Sequence, residues 1–309
     1  MAEKTAQAED EQAQAQEKTP QAPAQEEALE LRSLALASPA KLNLFLRVLG
    51  RRDDGYHELV TLFHRISLHD TLRLEKRREE QIRLLCSHPR VPIKNNLMVQ
   101  AFHLLKSQNS FSGGVTVRLT KQIPVGGGLG GGSSNAATFL LGMNRLFRLG
   151  LTRKELLKLG RALGADVPFF LTGARQAIGR GRGDEIKPLG LRRRLWFLLF
   201  PSGRGIPTAK VYAGLRMEKR RLTRTSDDVR IPSTQFFVND LTESAERIRP
   251  SLKKTREKLS GLHVGSCQMS GSGPTLFMVF PSEEKARLAY REIRRRLGSR
   301  QTILLCHTF

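Results

Sequence analysis

Six glycines occupy seven positions from Gly126 to Gly132, interrupted only by Leu129, directly before Ser133, Ser134 and an apolar helical stretch through Phe147. Such density costs backbone entropy, and it has a use where bare N–H groups must close on a ligand. Phosphate oxygens suit that role, because the positive end of a following helix reinforces the N–H donors. A flexible linker is the mundane alternative, but a linker has no reason to run into a buried helix. Two familiar phosphate loops do not fit. A Walker A loop ends in Gly-Lys-Ser/Thr, and no lysine stands between Lys121 and Lys154. Gly126, Gly128 and Gly131 satisfy G-x-G-x-x-G, yet Pro124 separates the strand from the glycines, and no acid near position 150 is placed to hold a ribose.

Other residues could join a phosphate in chemistry. Lys41 and Asn43 alternate with Leu42 and Leu44, so as a strand they point the same way. Asp166 in Gly164-Ala165-Asp166-Val167-Pro168 is either a base or an Asx turn ahead of proline. Tyr56 and His57 follow Asp53-Asp54-Gly55, where a hairpin exit with a packed tyrosine is the plain reading. A second glycine turn, Met269 to Pro274, lies between two strand-like segments and on spacing alone is an ordinary hairpin.

The elements that must position these groups alternate between short strands and helices. Leu42, Leu44, Leu46 and Val48 form one face of a half-buried strand, with Lys41, Asn43, Phe45 and Arg47 on the other. Strand-like segments follow near 59–66, 71–76 and 81–85, then an amphipathic helix from about Asn96 to Lys106. Val115, Val117 and Leu119 alternate with Thr116, Arg118 and Thr120 in a strand that enters the glycine loop. Ser133 or Ser134 is expected to open the next helix, and Thr152 with Glu155 forms a capping box for the one after. Beyond residue 190 a strand at Leu195–Phe200 precedes helices near 208–217 and 238–260, then strand, turn, strand, helix and a strand to Cys306. This order predicts α+β layers.

Charge is divided along the chain. Residues 1–30 hold eight acids against two lysines, a net −6, so the whole-chain +23 leaves +29 for residues 31–309. The acidic stretch is rich in Ala, Gln, Glu and Pro and is expected to form a disordered tail. The basic remainder favours anionic ligands. An RNA-binding protein is the rival class, but few aromatics are available for base stacking, and charge does not explain clustered glycines. Basic triplets such as Arg192-Arg193-Arg194 and Arg294-Arg295-Arg296 read as solvated faces. The longest apolar run, Leu195 to Phe200, is far too short to span a membrane. Three scattered cysteines and no secretory segment point to a reducing, cytoplasmic setting.

Together, Ser38-Pro39-Ala40-Lys41-Leu42-Asn43-Leu44, Asp54 to Leu59, Pro124 to Asn135, Gly164 to Pro168 and Ser270-Gly271-Ser272-Gly273-Pro274 resemble the motifs of the GHMP kinases. They do so in the family's order, over nearly the whole chain after residue 33. The match is closest to the branch that phosphorylates the 2-hydroxyl of 4-diphosphocytidyl-2-C-methyl-D-erythritol, a step in the non-mevalonate isoprenoid pathway. The resemblance implies a two-domain α+β fold: an S5-like N-terminal domain over residues 33–188 binding ATP, and a ferredoxin-like substrate-binding domain over 189–309, preceded by the tail at 1–32. It implies ATP and Mg2+ as cofactors and a small-molecule substrate, with neither nucleic acid nor membrane as partner.

By position, Asp166 matches the family's catalytic aspartate and Lys41 the lysine beside it. Pro124, Gly126, Gly127, Gly128, Leu129, Gly130, Gly131, Gly132, Ser133 and Ser134 would wrap the triphosphate, with Asn96 and Lys121 at nucleotide-side positions. Asn43, Tyr56 and His57 match residues that hold substrate, and Phe63 and Tyr212 fall where the family sets aromatic rings against cytosine. Ser134 is also a candidate for the metal side of the triphosphate; its alternative is a plain helix cap.

Overall fold

The computed structural model describes residues 31–190, 193–203, 205–216, 237–299 and 301–309. The expected tail therefore lies outside the described residues except for Leu31 and Arg32, as does Arg192 of the first basic triplet.

Two long strands form the spine. Strand β1 (Ser33–Arg51) pairs antiparallel with β2 (His57–Arg77) across the Asp53–Gly55 turn, where Gly55 has a φ of +81°. The expected separate segments near 59–66 and 71–76 are thus one 21-residue strand. Asp70, between those two segments, is fully buried and accepts from the Gln122 and Ile123 N–H groups. Nor is β1 half-buried as its alternation suggests: every residue from Ser38 to Leu46 is buried. One face carries Ala40, Leu42 and Leu44 into a core shared with Phe197, Leu199 and Phe277 of a second sheet, so this strand has a packed layer on each side.

The first sheet runs β3 (Ile82–Cys86), β4 (Gly114–Thr120), β2, β5 (Gln176–Arg180), β6 (Glu185–Leu189), with β1 also on β2. Among the described strands of this sheet only β3 and β4 pair in parallel. Helices α1 (Leu97–Gln108), α2 (Gly131–Leu146), α3 (Arg153–Leu163) and α4 (Val167–Leu171) belong to this part of the fold, and α2 packs on β1 and β2. The capping box of α3 forms as expected: Glu155 N–H donates to Thr152 Oγ1 at 3.3 Å, and Thr152 N–H donates to Glu155 Oε2 at 2.8 Å. Helix α4 is a short element that the sequence reading did not assign. Pro168 lies in its first turn, where proline's missing N–H costs nothing.

The second sheet has the order β10 (Leu304–His307), β7 (Trp196–Phe200), β9 (Leu276–Phe280), β8 (Gln268–Met269) and is antiparallel throughout. Helices α5 (Thr208–Ala213), α6 (Thr242–Ile248) and α7 (Pro250–Ser260) lie between β7 and β8, and α8 (Glu283–Leu297) between β9 and β10. This is the β-α-β-β-α-β pattern of ferredoxin-like layers. The single helix expected over 238–260 is two, because Pro250 drives Arg249 out of the helical region to φ −134° and ψ 88°. The helix expected near 208–217 stops at Ala213.

Candidate active site

A cleft of about 1150 Å³ gathers nearly every residue singled out by type and spacing. At its centre Lys41 Nζ lies 3.2 Å from Asp166 Oδ2 and donates a short hydrogen bond to Asn43 Oδ1. Lys41 and Asn43 are both buried, and they share a face of β1, as their spacing demands. Asn43 is held in turn, since its Nδ2 donates to Thr61 Oγ1 at 2.7 Å and Thr61 donates to the Phe45 carbonyl at 2.8 Å. Asp166 precedes α4 but makes no capping bond to that helix, and its carboxylate turns to the lysine instead. That geometry disfavours the Asx-turn reading.

The glycine loop forms one wall. Helix α2 begins at Gly131, two or three residues earlier than the serines suggest, and its N-cap is Gly130 at φ +68°. The N–H groups of Gly131, Gly132 and Ser133 precede the first intrahelical bond, from Ser134 N–H to the Gly130 carbonyl at 2.8 Å. They are the donors an anion would meet. Ser134 does not join them: it is fully buried, with its hydroxyl 2.8 Å from Ser38 Oγ, which corrects its assignment to the triphosphate or a metal. Leu129 is buried as well, and acts through its carbonyl, which accepts from Lys41 N–H at 3.0 Å. Pro124 lines the cleft and closes the loop's first turn, accepting from Gly127 N–H at 3.3 Å.

Most of the glycines are small for reasons of fit. A Cβ on Gly128 would stand 2.3 Å from the Ser270 carbonyl, and one on Gly130 would stand 2.9 Å from Lys41 Cγ. On Gly127 it would reach Thr275 Oγ1 at 2.8 Å, and on Gly126 it would lie 3.0 Å from Gly205 Cα. At Gly132 alone in the loop a Cβ would meet nothing within 4 Å. The second glycine turn, which spacing alone assigns to an ordinary hairpin, is therefore the other side of this seam. Ser270 Oγ donates to the Gly128 carbonyl at 3.0 Å and accepts from Asn43 N–H at 3.2 Å. Asn239 anchors the turn from behind through bonds to the Met269 and Gly271 carbonyls, both 2.8 Å.

Lys121 lines the cleft and pairs with the buried Asp70. Asp70 also accepts from the backbone of Gln122 at 2.8 Å and Ile123 at 2.9 Å, and from Asn135 Nδ2 at 2.9 Å, so one carboxylate sets the entry to the loop and the start of α2. Sequence reasoning missed it because its partners are distant in the chain. Asn96 borders the cleft, but its side chain is engaged as the N-cap of α1, 3.0 Å from Met98 N–H. Among the described residues that line the cleft, Lys41, Lys121 and Arg182 are each paired with an acid, Asp166, Asp70 and Asp184, and Arg51 adds a further cation.

At the opposite end Tyr56 is exposed, and His57 lies with its ring 5.1 Å from that of Tyr212 on α5. Burial, reinforced by the charge of Arg51, holds the His57 imidazole below its ordinary pKa. Burial likewise raises the Tyr212 hydroxyl, with a lesser contribution from Asp166. Phe63 departs from its expected role. It is 1% exposed and stacks on Phe169 at 4.9 Å, while Lys41 Nζ sits 5.5 Å from its centroid. It is a floor beneath the lysine, with no open face for a base.

Comparisons with known proteins give the family. Family models described as GHMP kinases N terminal domain and GHMP kinases C terminal match residues 96–174 and 222–299. The 4-diphosphocytidyl-2-C-methyl-D-erythritol kinase of Polynucleobacter necessarius is 41% identical over 82% of this chain and 85% of its own. That of Syntrophus aciditrophicus is 40% identical over 83% and 93%. A crystal structure of 4-(cytidine 5'-diphospho)-2C-methyl-D-erythritol kinase superposes with a TM-score of 0.73 at 35% identity, covering 88% of this chain and 99% of that one. Mevalonate kinase from Methanococcus jannaschii, 16% identical with a TM-score of 0.61 over 89% and 98%, shares the fold. A chain with this site, this two-domain α+β fold and these relatives belongs to the 4-diphosphocytidyl-2-C-methyl-D-erythritol kinases of the GHMP family.

Proposed function

We propose that the Lys41–Asp166 pair is the catalytic centre of a phosphotransferase that moves the γ-phosphoryl group of ATP to the 2-hydroxyl of 4-diphosphocytidyl-2-C-methyl-D-erythritol. The observation that carries the reading is the position of this pair, 3.2 Å apart, in one cleft with the N-terminus of α2 and with Tyr56, His57 and Tyr212. The N–H groups of Gly131, Gly132 and Ser133 hold the triphosphate, and Lys121 adds charge beside them. Lys41 stabilises negative charge where attacking and transferring oxygens meet. Asp166 takes the alcohol proton as transfer proceeds. Asn43, Tyr56, His57 and Tyr212 hold the substrate, with its cytosine against the aromatic rings. We assign the nucleotide to residues 33–188 and the larger part of substrate recognition to residues 189–309 together with the β1–β2 hairpin.

Among the described residues no cluster of three or more His, Cys, Asp or Glu side chains could cage a metal. Mg2+ would arrive on the triphosphate, with phosphate oxygens and water as its ligands. The bound ion would neutralise charge on the phosphoryl group in transfer. Among the described residues, too, no helix is long and apolar enough to cross a membrane.

Incubating the full chain with ATP, Mg2+ and the diphosphocytidyl substrate, and following 31P NMR, tests the proposal. A new phosphomonoester resonance on the substrate should grow as ADP forms. ADP release that is indifferent to the diphosphocytidyl compound would overturn it.

A further inference from the structure

The geometry points to Arg182 as a positioning residue for substrate selection, one that holds the Tyr56 ring in the attitude in which a cytosine can stack on it. This rests on the reading of the cleft given above, in which the aromatic end receives the base.

Tyr56 needs such help. It follows a tight turn, its side chain is 55% exposed, and it stacks on no other aromatic among the described residues. Its backbone is fixed, with N–H donating to Asp54 Oδ1 at 3.0 Å, but that bond leaves the ring free to rotate. The Arg182 guanidinium lies 4.8 Å from the ring centroid, within reach of a cation–π contact.

Arg182 is itself well held. Its guanidinium donates to Asp184 Oδ2 at 2.8 Å, and Asp184 is 8% exposed. The turn that carries it is tied to β2 by Leu59 N–H donating to the Gly181 carbonyl at 2.8 Å, and is closed by Gly183 N–H on the Arg180 carbonyl at 2.9 Å. Gly181 and Gly183 have φ of +64° and +97°, so the turn has a conformation that few residues other than glycine adopt. Two turns, Asp54–Tyr56 and Gly181–Asp184, thus meet through one planar cation at the border of the cleft.

Its electrostatics favour this role over direct capture of the substrate's diphosphate. Asp184 bonds the guanidinium, and Asp54, itself paired with Arg52 at 3.1 Å, lies on the same side from the hairpin. A cation already bonded to a carboxylate is a poor receptor for a further anion, but its flat face still serves a ring. Ordering the tyrosine before the ligand arrives removes that cost from binding, equivalent to about a two- to tenfold gain in affinity.

The experiment is steady-state kinetics on Arg182→Met, Arg182→Lys, Tyr56→Ala and the double variant Arg182→Met/Tyr56→Ala, with melting curves to verify the fold. Arg182→Met should raise KM for the diphosphocytidyl substrate about two- to tenfold, leaving kcat and the KM for ATP within a factor of two. Arg182→Lys, which keeps the cation, should recover part of the loss. In the Tyr56→Ala background Arg182→Met should have no further effect, because the partner it positions is gone. An equal KM increase in both backgrounds would overturn the proposal and make Arg182 a direct substrate contact. An unchanged KM for Arg182→Met and Arg182→Lys, beside a raised KM for Tyr56→Ala, would overturn the proposal while sparing the stacking reading. An unchanged KM for Tyr56→Ala would defeat the stacking reading, and the proposal with it.

Discussion

The ammonium of Lys41 stands 3.2 Å from Asp166 Oδ2 with the ring of Phe63 beneath it, 5.5 Å from nitrogen to centroid. Cation, carboxylate and aromatic floor come from β1, the turn before α4 and β2. The pair is thereby fixed before any ligand arrives.

Asp166→Asn keeps the size of the side chain and removes its basicity. Since Asp166 makes no capping bond, the variant should melt within a degree or two of wild type. Its kcat should fall by about 10²- to 10⁴-fold, with both ligand affinities nearly unchanged. The double variant with Lys41→Met should be little worse than the more damaged single one, because residues acting as a unit are not additive. An Asp166→Asn enzyme that kept most of its turnover would remove the base assignment.

Gly128 and Gly132 separate packing from ligand binding within one loop. Gly128→Ala forces a Cβ to 2.3 Å from the Ser270 carbonyl at a φ of +75°, so it should lower the melting temperature as well as activity. Gly132→Ala meets nothing within 4 Å and should leave stability intact while weakening ATP several-fold. Calorimetric titration with a non-hydrolysable ATP analogue, run beside a thermal melt, checks both.

Tyr56 and Phe63 should respond differently to truncation. Stacking is worth about 1–3 kcal/mol per base in nucleic-acid binders, so Tyr56→Ala should raise the substrate KM and spare that for ATP. Phe63→Ala empties a buried site stacked on Phe169 and should cost about 3–5 kcal/mol of stability. Denaturant unfolding and substrate kinetics on the two variants distinguish a wall from a floor.

His64 makes stability depend on pH. It is fully buried, 3.0 Å from Thr308 Oγ1, and burial pushes its pKa from 6.5 down to about 4. The folded chain keeps the imidazole neutral while the unfolded chain takes up a proton below about 6.5, so stability is lost as pH falls from 6.5 toward 4. The loss attributable to this group is about 3 kcal/mol at the lower end. His64→Gln abolishes the titration, so the advantage of wild type over the variant in urea unfolding should shrink steadily over that interval. A constant difference would show that His64 does not titrate in this way.

The local part of the site was legible in the residues. A period of two put Lys41 beside Asn43, and glycine density before an apolar stretch marked the loop and the helix behind it. What escaped depends on distant partners. Asp70 was not singled out, because nothing near it in sequence discloses Lys121, Gln122 and Asn135 as its partners. Ser134 looked like a helix cap because Gly130 can begin a helix with no side chain at all. Phe63 carries no mark that separates a ring under a lysine from a ring against a base; only burial does. Strands β5 and β6 are short, and β6 is mostly exposed, so hydrophobic pattern had little to register there.

The contact between Gly128 and Ser270 also bears on how the two sheets can shift. Two turns from different sheets already touch, backbone to backbone, with Ser270 bridging the Gly128 carbonyl and the Asn43 N–H. Any shift of one sheet against the other would therefore be transmitted through Ser270 to the backbone of Asn43, two residues from Lys41.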